Sequence, residues 1–584
     1  MDYINKENQI NDNKGVLLPA LRYTENGNFY GYINLKGDFI ISPQFKRADE
    51  FNSKGIAIVE KDGFVGGINS QGQYAIEPVY SSISQFVDGR AIFVLDNFMG
   101  VMDDSGKVLT SKKYTFINNY SNERAVFGLM ENNNDRYLYG YLNENGNEVI
   151  EAKYDEAFQF KDDIALVKQK STYMLIDKEG KVLFQYNYPY VNSYGEEKLV
   201  FAKEDGGPYG YINKEGTIVI EPIYTSANQF KNGVAIVGMG PIYSENFGVI
   251  SEKGHYIYEP IYDDIINLGE DRIALGKFSS DEKIPFSFKY AIGDTAGKIL
   301  TEYLFLSIGE YEDGLSYGSN EEFTFFINKE GEIDNTFPIV RGSGSLKIRD
   351  NIIYADINFS PFYLKANGDL IYRPNIIIDI NKKYKVIRGK YKPNFNYLIY
   401  YPIVDGIENI LVRRAINTRL KLMSLFNPNT DEKKSITISA DQILDYNYYG
   451  DFSILYYKNN IICFDILGYY YPFGAAHGLP YRKTPLVNLR TGQIYKLEDL
   501  FVKGSNWENI INEIIKEMIS TDKQYEVLFT NSFEGIKSNQ SFYLQDENLV
   551  IYYPPYEIAP YAAGFVTFKI PIEKIKDIYK LELM

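Results

Sequence analysis

The chemistry open to this chain of 584 residues is limited by its two histidines. His255 follows a turn glycine, and His477 lies in the segment GAAHG (474–478) among aromatic residues. Catalysis or metal binding needs a partner group within reach, such as a serine, a cysteine or further ligands. The sequence has no HExxH, GxSxG, Walker or GxGxxG motif that would supply one. We therefore predict no catalytic residue, no metal site and no cofactor. For His477 a structural role, with its ring bonded to a loop backbone, is weighed against contact with a ligand.

Aromatic side chains are the other candidates, since the chain holds 53 tyrosines and 37 phenylalanines. Two segments rich in tyrosine and proline, YYYPFGAAHGLPY (469–481) and YYPPYEIAPY (552–561), are the best candidates for exposed aromatic loops. Tyrosine is rigid and amphipathic, which suits contacts with proteins and carbohydrates alike. The alternative is that these turns pack on each other in the core. The candidate ligand-binding residues are Tyr471, Phe473, His477, Tyr481, Tyr556 and Tyr561.

Acidic turns such as DDSG (103–106) and DKEG (177–180) could suggest calcium. A calcium loop of the helix–loop–helix type needs alternating acids and a glutamate at its twelfth position, and none is found in the sequence. Turn formation explains these residues, so no calcium site is predicted.

The formal net charge of −16 is spread unevenly along the chain. Residues 1–384 hold 38 basic and 55 acidic side chains, whereas the remainder holds 23 and 22. An acidic surface repels phosphate backbones, which argues against nucleic acid and would attract a basic partner. The single cysteine, Cys463, excludes an internal disulfide.

One phrase recurs along the first two thirds of the chain, as in YGYINKEGTIVIEPIY (209–224) and GYINLKGDFIISPQF (31–45). Its period is about 35–37 residues, which indicates a repeat architecture. Ten copies fill residues 29–374. Each copy is marked by a turn glycine, at Gly37, Gly72, Gly106, Gly146, Gly180, Gly216, Gly254, Gly297, Gly331 and Gly368.

Each copy predicts a hairpin. An Asn or Asp stands three residues before most of these glycines and can bond the backbone two residues on, while the glycine adopts a left-handed conformation. A proline before the closing aromatic residue marks a strand edge. Three short strands per unit predict an all-β repeat array. The array is either an open solenoid or a closed propeller, and three strands in about 36 residues favour the open form.

These units resemble the WG repeats of bacterial proteins, whose phrase is aromatic-Gly-aromatic-Ile-Asp/Asn-x-x-Gly followed by Pro-x-Tyr/Phe and Phe-x-x-Gly-x-Ala. In this chain the tryptophan before glycine is replaced, by Tyr30, Tyr139, Tyr209, Phe247 or Met99. The resemblance implies a binding or scaffolding role and no catalysis.

The period ends near residues 375–400, which we assign as a linker or entry strand into a separate domain, after an N-terminal segment (1–28) and the repeats (29–374). Residues 401–584 predict an α+β domain with helices over 405–426 and 505–520, the second opened by a capping box of Ser505 and Glu508. This domain resembles the RsiV-like domain of lysozyme-binding anti-sigma factors and peptidoglycan deacetylases. The matching pieces are Tyr401-Pro402-x-x-x-Gly406, GAAHG (474–478), Thr491-Gly492, LEDLF (497–501), PYEIAPYAAG (555–564) and Ile570-Pro571.

We therefore expect a non-enzymatic binding or scaffold protein, in which an acidic β-repeat surface accompanies a ligand-binding domain. The resemblance implies a protein ligand, for example a basic one such as lysozyme, or a ligand derived from the cell wall of a Gram-positive bacterium. The alternatives are an accessory of an enzyme acting on wall glycan, and a structural protein of an intracellular or spore assembly. No signal peptide or membrane span is recognisable, which favours a cytoplasmic or spore-associated protein, whereas the resemblance implies an extracytoplasmic one.

Overall fold

A computed structural model of the chain describes residues 15–131, 136–279, 287–426, 438–439, 442–537 and 539–580. The chain divides into two compact units. The first comprises the described residues up to Arg373 except 22–29 and 279, and the second comprises those segments together with the residues from Pro374 onwards.

Ten small antiparallel sheets follow one another along the repeat region. We number them in chain order, with these strands. Sheet 1 has Leu18–Thr24, Gly27–Ile33 and Phe39–Phe45; sheet 2 has Arg47–Ala48, Ala57–Lys61, Phe64–Ile68 and Tyr74–Tyr80; sheet 3 has Ser82–Ile83, Arg90–Leu95 and Phe98–Asp103; sheet 4 has Phe116–Ile117, Arg124–Met130, Tyr137–Asn143 and Glu148–Tyr154; sheet 5 has Glu156–Ala157, Ile164–Gln169, Thr172–Asp177 and Val182–Tyr186. Sheet 6 has Tyr190–Gly195, Lys198–Ala202, Tyr209–Asn213 and Ile218–Tyr224; sheet 7 has Ser226–Ala227, Val234–Met239, Asn246–Ser251 and Tyr256–Tyr262; sheet 8 has Asp264–Gly269, Arg272–Phe278 and Phe288–Asp294; sheet 9 has Ser307–Ile308, Ser316–Ser319, Phe323–Ile327 and Val340–Arg341; sheet 10 has Gly344–Arg349, Ile352–Ile357, Pro361–Lys365 and Leu370–Tyr372.

The predicted all-β repeat fold is confirmed, but the number of strands per unit is wrong for most units. Seven of the ten sheets have four strands. The extra strand is the first of its sheet and often only two residues long, such as Arg47–Ala48. A strand that short has no hydrophobic alternation by which the sequence could reveal it.

The repeated turn is built as its residues suggest. In sheet 1 the Asn34 Oδ1 accepts hydrogen bonds from the backbone N–H groups of Lys36 and Asp38, at 2.9 and 3.0 Å. Gly37 has φ +84° and donates from its N–H to the Asn34 carbonyl at 3.0 Å. Where Ser251 replaces the asparagine, the matching backbone bond from the Gly254 N–H persists at 2.8 Å.

The glycine of the aromatic-Gly phrase is required by a close approach of two strands. A Cβ at Gly210 would lie 2.5 Å from the Ile220 carbonyl oxygen and 2.6 Å from the Pro222 nitrogen. The strand register shifts at this point, between Tyr209 and Tyr211. The same collision with the last strand of the sheet would occur at Gly31, Gly66, Gly140 and Gly248.

The proline of the Pro-x-aromatic phrase lies on the last strand of its sheet, as Pro222 does in sheet 6. An outermost strand leaves one row of backbone groups without a ladder partner. Pro222 also lies in the stretch where the strand register shifts opposite Gly210. Proline is tolerated in edge strands and at such irregularities because no regular ladder donor is required there.

The sheets close into a ring. Most turn glycines rest on the sheet before them, and a Cβ at Gly254 of sheet 7 would lie 3.2 Å from the Ile220 side chain of sheet 6. The first turn rests on the last sheet in the same way, since a Cβ at Gly37 would lie 2.3 Å from the carbonyl oxygen of Ile371.

Side chains seal the same junction of sheets 10 and 1. The Tyr363 Oη donates to the Pro19 carbonyl at 2.9 Å, and the Tyr372 Oη donates to the Leu21 carbonyl at 2.8 Å. A shared apolar cluster is buried between the two sheets, comprising Leu18, Ala20, Ile33, Tyr363 and Ile371. The structure thus has the closed, propeller-like arrangement. The preference for the open form was wrong, because it rested on three strands per unit and most of the sheets have four.

The second unit is α+β. Its larger sheet has eight strands, Ile377–Asp379, Lys385–Asn394, Tyr397–Asp405, Tyr446–Lys458, Ile461–Pro472, Leu479–Lys483, Leu486–Asn488 and Ile494–Tyr495, and its smaller sheet has Phe542–Gln545, Asn548–Tyr553 and Val566–Pro571. The helices are α1 (Ile410–Ser424) and α2 (Trp507–Thr521), with 3-10 turns at Leu497–Leu500, Lys523–Val527, Tyr561–Ala563 and Ile572–Ile575.

Helix α1 occurs between the one parallel pair of strands described in the larger sheet, Tyr397–Asp405 and Tyr446–Lys458. Parallel neighbours require such a crossover connection. Its Ile416 and Leu420 are buried.

Helix α2 buries Ile511 and Ile515 in the core shared with the smaller sheet, and the Trp507 ring stacks on Phe501 at 4.6 Å. The predicted capping box is wrong, because the residue before the helix is Asn506, which has φ +51° and makes no side-chain capping bond. The Ser505 Oγ is buried with no hydrogen-bond partner among the described residues.

We expect Gly210→Ala to lower the free energy of unfolding by about 1–3 kcal/mol, because the new methyl group must displace backbone atoms of the neighbouring strand. The measurement is urea unfolding of the full chain, followed by far-ultraviolet circular dichroism. Gly15→Ala is the control, since a Cβ there meets nothing within 4 Å. Equal stability of the two variants would contradict the close-approach explanation.

Candidate ligand-binding site

Three of the six candidate aromatic residues come together on two loops of the second unit. The His477 ring stacks on Tyr561, with centroids 4.1 Å apart, and lies 6.3 Å from the Tyr556 ring. Tyr556 and Tyr561 are 5.6 Å apart. Tyr469, which the sequence analysis did not single out, joins this group by accepting a hydrogen bond from the Gly478 N–H at 3.0 Å. We call His477, Tyr556, Tyr561 and Tyr469 the aromatic cluster.

Hydrogen bonds fix the orientation of the His477 ring. Its Nδ1 lies 3.0 Å from the Gly478 carbonyl oxygen, which can only accept, so Nδ1 carries a proton. In the neutral ring Nε2 then accepts from the Tyr556 hydroxyl, at 3.1 Å. The Tyr561 hydroxyl donates to the same Gly478 carbonyl at 2.9 Å. The structural role considered for His477 therefore takes the form of a bridge between the two loops.

Tyr556 is displayed on a strained turn. Its φ is +68°, a conformation that bulky residues rarely adopt and that costs about 1–3 kcal/mol. The turn is held by a bond from the Glu557 N–H to the Pro554 carbonyl at 3.2 Å and by another from the Tyr556 N–H to the Ala559 carbonyl at 3.1 Å. The side chain remains 52% exposed, so the strain presents its ring to solvent.

The other three candidates lie apart from the cluster. The Tyr481 hydroxyl donates to the Met423 carbonyl at 3.1 Å, and its ring lies 5.2 Å from Phe426 in the aromatic packing beside α1. The Tyr471 hydroxyl donates to the Ala475 carbonyl at 3.0 Å and so braces the loop that carries His477. Phe473 is half-buried. The two alternatives for these segments were exposed aromatic loops and turns packed in the core. Each therefore holds for some of their residues.

Exposed apolar side chains border the aromatic cluster. Leu467 is 42% exposed and lies two residues from Tyr469 on the same strand face, and Leu479 is 44% exposed next to Gly478. Phe529, 43% exposed, bonds through its N–H to the Ile558 carbonyl at 3.0 Å, two residues from Tyr556.

The hydrogen bond with Tyr469, followed by partial burial, raises the pKa of the Tyr561 hydroxyl. The thiol of Cys463 lies elsewhere in the core, where burial raises its pKa to about 12. Such a thiol is not a nucleophile at neutral pH.

The part of the chain that the structure describes holds no cluster of three or more His, Cys, Asp or Glu side chains that could bind a metal ion. Nor does any described helix have the length and apolar character needed to cross a membrane.

Comparison with known families finds matches in two parts of the chain. The family described as "WG containing repeat" matches residues 30–63, 66–97, 99–129, 139–173, 173–207, 209–240 and 247–274, and the family described as "Protein of unknown function (DUF3298)" matches residues 498–573. The chain is a WG-repeat protein with a C-terminal DUF3298 domain. The DUF3298 match includes Tyr556 and Tyr561, whereas His477 precedes it. The seven matched repeat segments run from sheet 1 into the first part of sheet 8.

Solved structures resemble parts of this WG-repeat protein. A DUF3298 family member from Bacteroides fragilis is 18% identical over 34% of this chain and 94% of its own, with a TM-score of 0.27. A DUF3298 protein from Pseudomonas aeruginosa is 14% identical over 34% and 95%, with a TM-score of 0.24. A eukaryotic initiation factor is 11% identical over 53% and 92%, with a TM-score of 0.37. No curated protein matches the chain.

We predict that neutral His477 is protonated at Nδ1 and not at Nε2. Nitrogen-15 NMR of the imidazole rings in the full chain measures this directly, and His255→Gln assigns the signals because the chain has only these two histidines. Tyr556→Phe should shift the Nε2 resonance, since it removes the hydroxyl that donates to this atom. A proton found on Nε2 in the neutral ring would contradict the described bonding.

Proposed function

We propose that this WG-repeat protein is a non-enzymatic binding protein that takes up a protein ligand on the aromatic cluster of its second unit. The observation that carries the proposal is the exposed Tyr556 ring held at positive φ. Strain of this kind persists where the surrounding structure enforces it, and it is concentrated at functional sites. A ring fixed in advance loses little conformational entropy on binding, which favours affinity.

The surroundings of the cluster favour a protein over a small polar ligand. Tyrosine is enriched at the centres of protein interfaces, where it pairs a large apolar face with a hydroxyl group. Leu467, Leu479 and Phe529 extend that apolar area around the cluster. A basic protein such as lysozyme is the ligand class that the RsiV-like resemblance suggests, and we adopt it as the first probe.

A catalytic role has little support from the same geometry. Both nitrogens of His477 are engaged, one by the Gly478 carbonyl and the other by the Tyr556 hydroxyl. A general base needs a free lone pair directed at the substrate. We therefore propose that His477 positions Tyr556 and transfers no proton.

The closed ring of ten sheets acts in this proposal as a rigid acidic scaffold. The acidic excess of the chain lies within residues 1–384. Charge of one sign accelerates the encounter with an oppositely charged partner, and this effect weakens as salt rises. The scaffold would thus draw a basic ligand toward the protein without forming its specific contacts.

We expect Tyr556→Asn to weaken lysozyme binding at least about tenfold, because it removes the ring while asparagine still accepts the left-handed turn. The measurement is calorimetric titration of the full chain at two salt concentrations. Tyr74→Asn is the matched control, since Tyr74 is 37% exposed but lies on sheet 2. Equal affinities for the two variants would contradict the proposed site.

A second titration uses soluble peptidoglycan fragments. Heat from these fragments and none from lysozyme would replace the protein ligand by a wall glycan, the second ligand class suggested by the resemblance. Hydrolysis of peptidoglycan by the wild type that is lost in His477→Ala would overturn the non-enzymatic assignment.

A further inference from the structure

One end of the ring carries exposed apolar side chains. In each repeat a hairpin precedes the aromatic-Gly phrase, and the repeat places equivalent hairpins at the same end of the ring. Six of these hairpins, in sheets 2, 3, 4, 7, 9 and 10, expose a large apolar residue at or beside the turn. They are Phe64, Phe98, Met130, Tyr243, Phe323 and Phe359. We call this surface the tip face.

Two of these residues are displayed at an energetic cost. Tyr243 is 100% exposed with φ +70°, at the third position of a turn closed by a bond from the Ser244 N–H to the Pro241 carbonyl. Phe359 is 63% exposed with φ +57°. Apart from Tyr556, every other described non-glycine residue at positive φ is Asp, Asn, Glu or Lys. The tip face therefore presents aromatic rings by the same device as the aromatic cluster.

The tip face is acidic around these rings. Among the described residues of the hairpin turns in sheets 2–7, 9 and 10, acidic side chains outnumber basic ones. The acidic residues are Asp62, Asp96, Glu131, Glu204, Asp205, Glu245, Glu321 and Glu322, and the basic ones are Arg136, Lys170 and Lys203. A partner surface for the tip face should hence combine apolar and basic groups.

The second unit carries a surface of that chemistry on α1. This helix has four basic residues and no acidic one. On the side opposite the buried Ile416 and Leu420 it exposes a stripe at helical spacing. The stripe comprises Leu411, Arg414, Ala415, Thr418, Arg419 and Leu422. Leu411 is 72% exposed and Leu422 is 43% exposed.

We propose that α1 of one copy docks on the tip face of a second copy, with Leu411 and Leu422 against the aromatic tips and the arginines facing the acidic turns. The contact joins two different surfaces. After two copies have bound, one still has an unoccupied tip face and the other an unoccupied α1. Such heterologous association continues from copy to copy unless its geometry closes. The interaction is independent of the binding function assigned to the aromatic cluster.

Two sets of substitutions separate the halves of this contact. The ring variant carries Tyr243→Asn and Phe359→Asn, and asparagine tolerates the positive φ at both turns. The helix variant carries Leu411→Ser and Leu422→Ser, with Arg414→Glu and Arg419→Glu as a second version that keeps the apolar groups. Val16→Ser is the control, because Val16 is 40% exposed and lies outside both surfaces. Circular dichroism and thermal melting establish that each variant is folded.

Sedimentation equilibrium of the full chain at about 0.15 M ionic strength measures the association. We expect the mean mass of the wild type and the control to rise with concentration past that of a dimer. The ring and helix variants should each lower the association constant at least about tenfold. Mixed in equal amounts they should associate again and stop at a dimer, since only one intact surface of each kind is then present.

Three results would overturn the proposal. The wild type could stay monomeric across the concentrations tested. The variants could associate as tightly as the wild type. Or the mixture could remain monomeric although the wild type associates, which would indicate a contact between identical surfaces.

Discussion

The contact of each turn glycine with the preceding sheet is the constraint on which the ring depends. A hairpin without a Cβ at its turn comes within van der Waals distance of its neighbour, as Gly254 does at Ile220 and Gly37 does at Ile371. Because each repeat makes this contact with the repeat before it, the recurrence of the turn along the chain produces a succession of packed sheets around the ring. The first sheet makes it with the tenth, and that junction leaves no sheet without a packed neighbour on either side.

Closure of the ring also determines where the protein can expose aromatic side chains. The apolar faces are buried between sheets, so the loops remain the places where exposed aromatic residues can be held. The protein uses one device in both units, a bulky aromatic residue at positive φ on a tight turn. Tyr243, Phe359 and Tyr556 share it. Each such turn gives up some stability to keep a ring at the surface, and a binding role for these turns accounts for that loss.

Much of this architecture follows from the sequence, because glycine, asparagine and proline act locally. The turn around Asn34 and Gly37 and the all-β class need only neighbouring residues. Closure could not be predicted, since it depends on Tyr363 reaching a strand 344 residues away. The two-residue strands were missed for lack of any periodic signal. Of the candidate site, His477, Tyr556 and Tyr561 are brought together, whereas Tyr481 packs beside α1 because its hydroxyl bonds a helix carbonyl. Nothing in the amino-acid sequence distinguishes a residue that joins the cluster from one that packs beside the helix.

The most direct test of the account is the order of two distances measured by pulsed electron spin resonance between spin labels. One pair of labels lies at Ile40 in sheet 1 and Leu370 in sheet 10, and the other at Ile40 and Leu183 in sheet 5, all three positions being exposed. Cys463 is buried with a raised thiol pKa and is replaced by alanine to remove any residual labelling. A closed ring predicts that Ile40 is nearer to Leu370 than to Leu183, although Leu183 is closer in sequence. The reverse order would mean an open array and would contradict the ring.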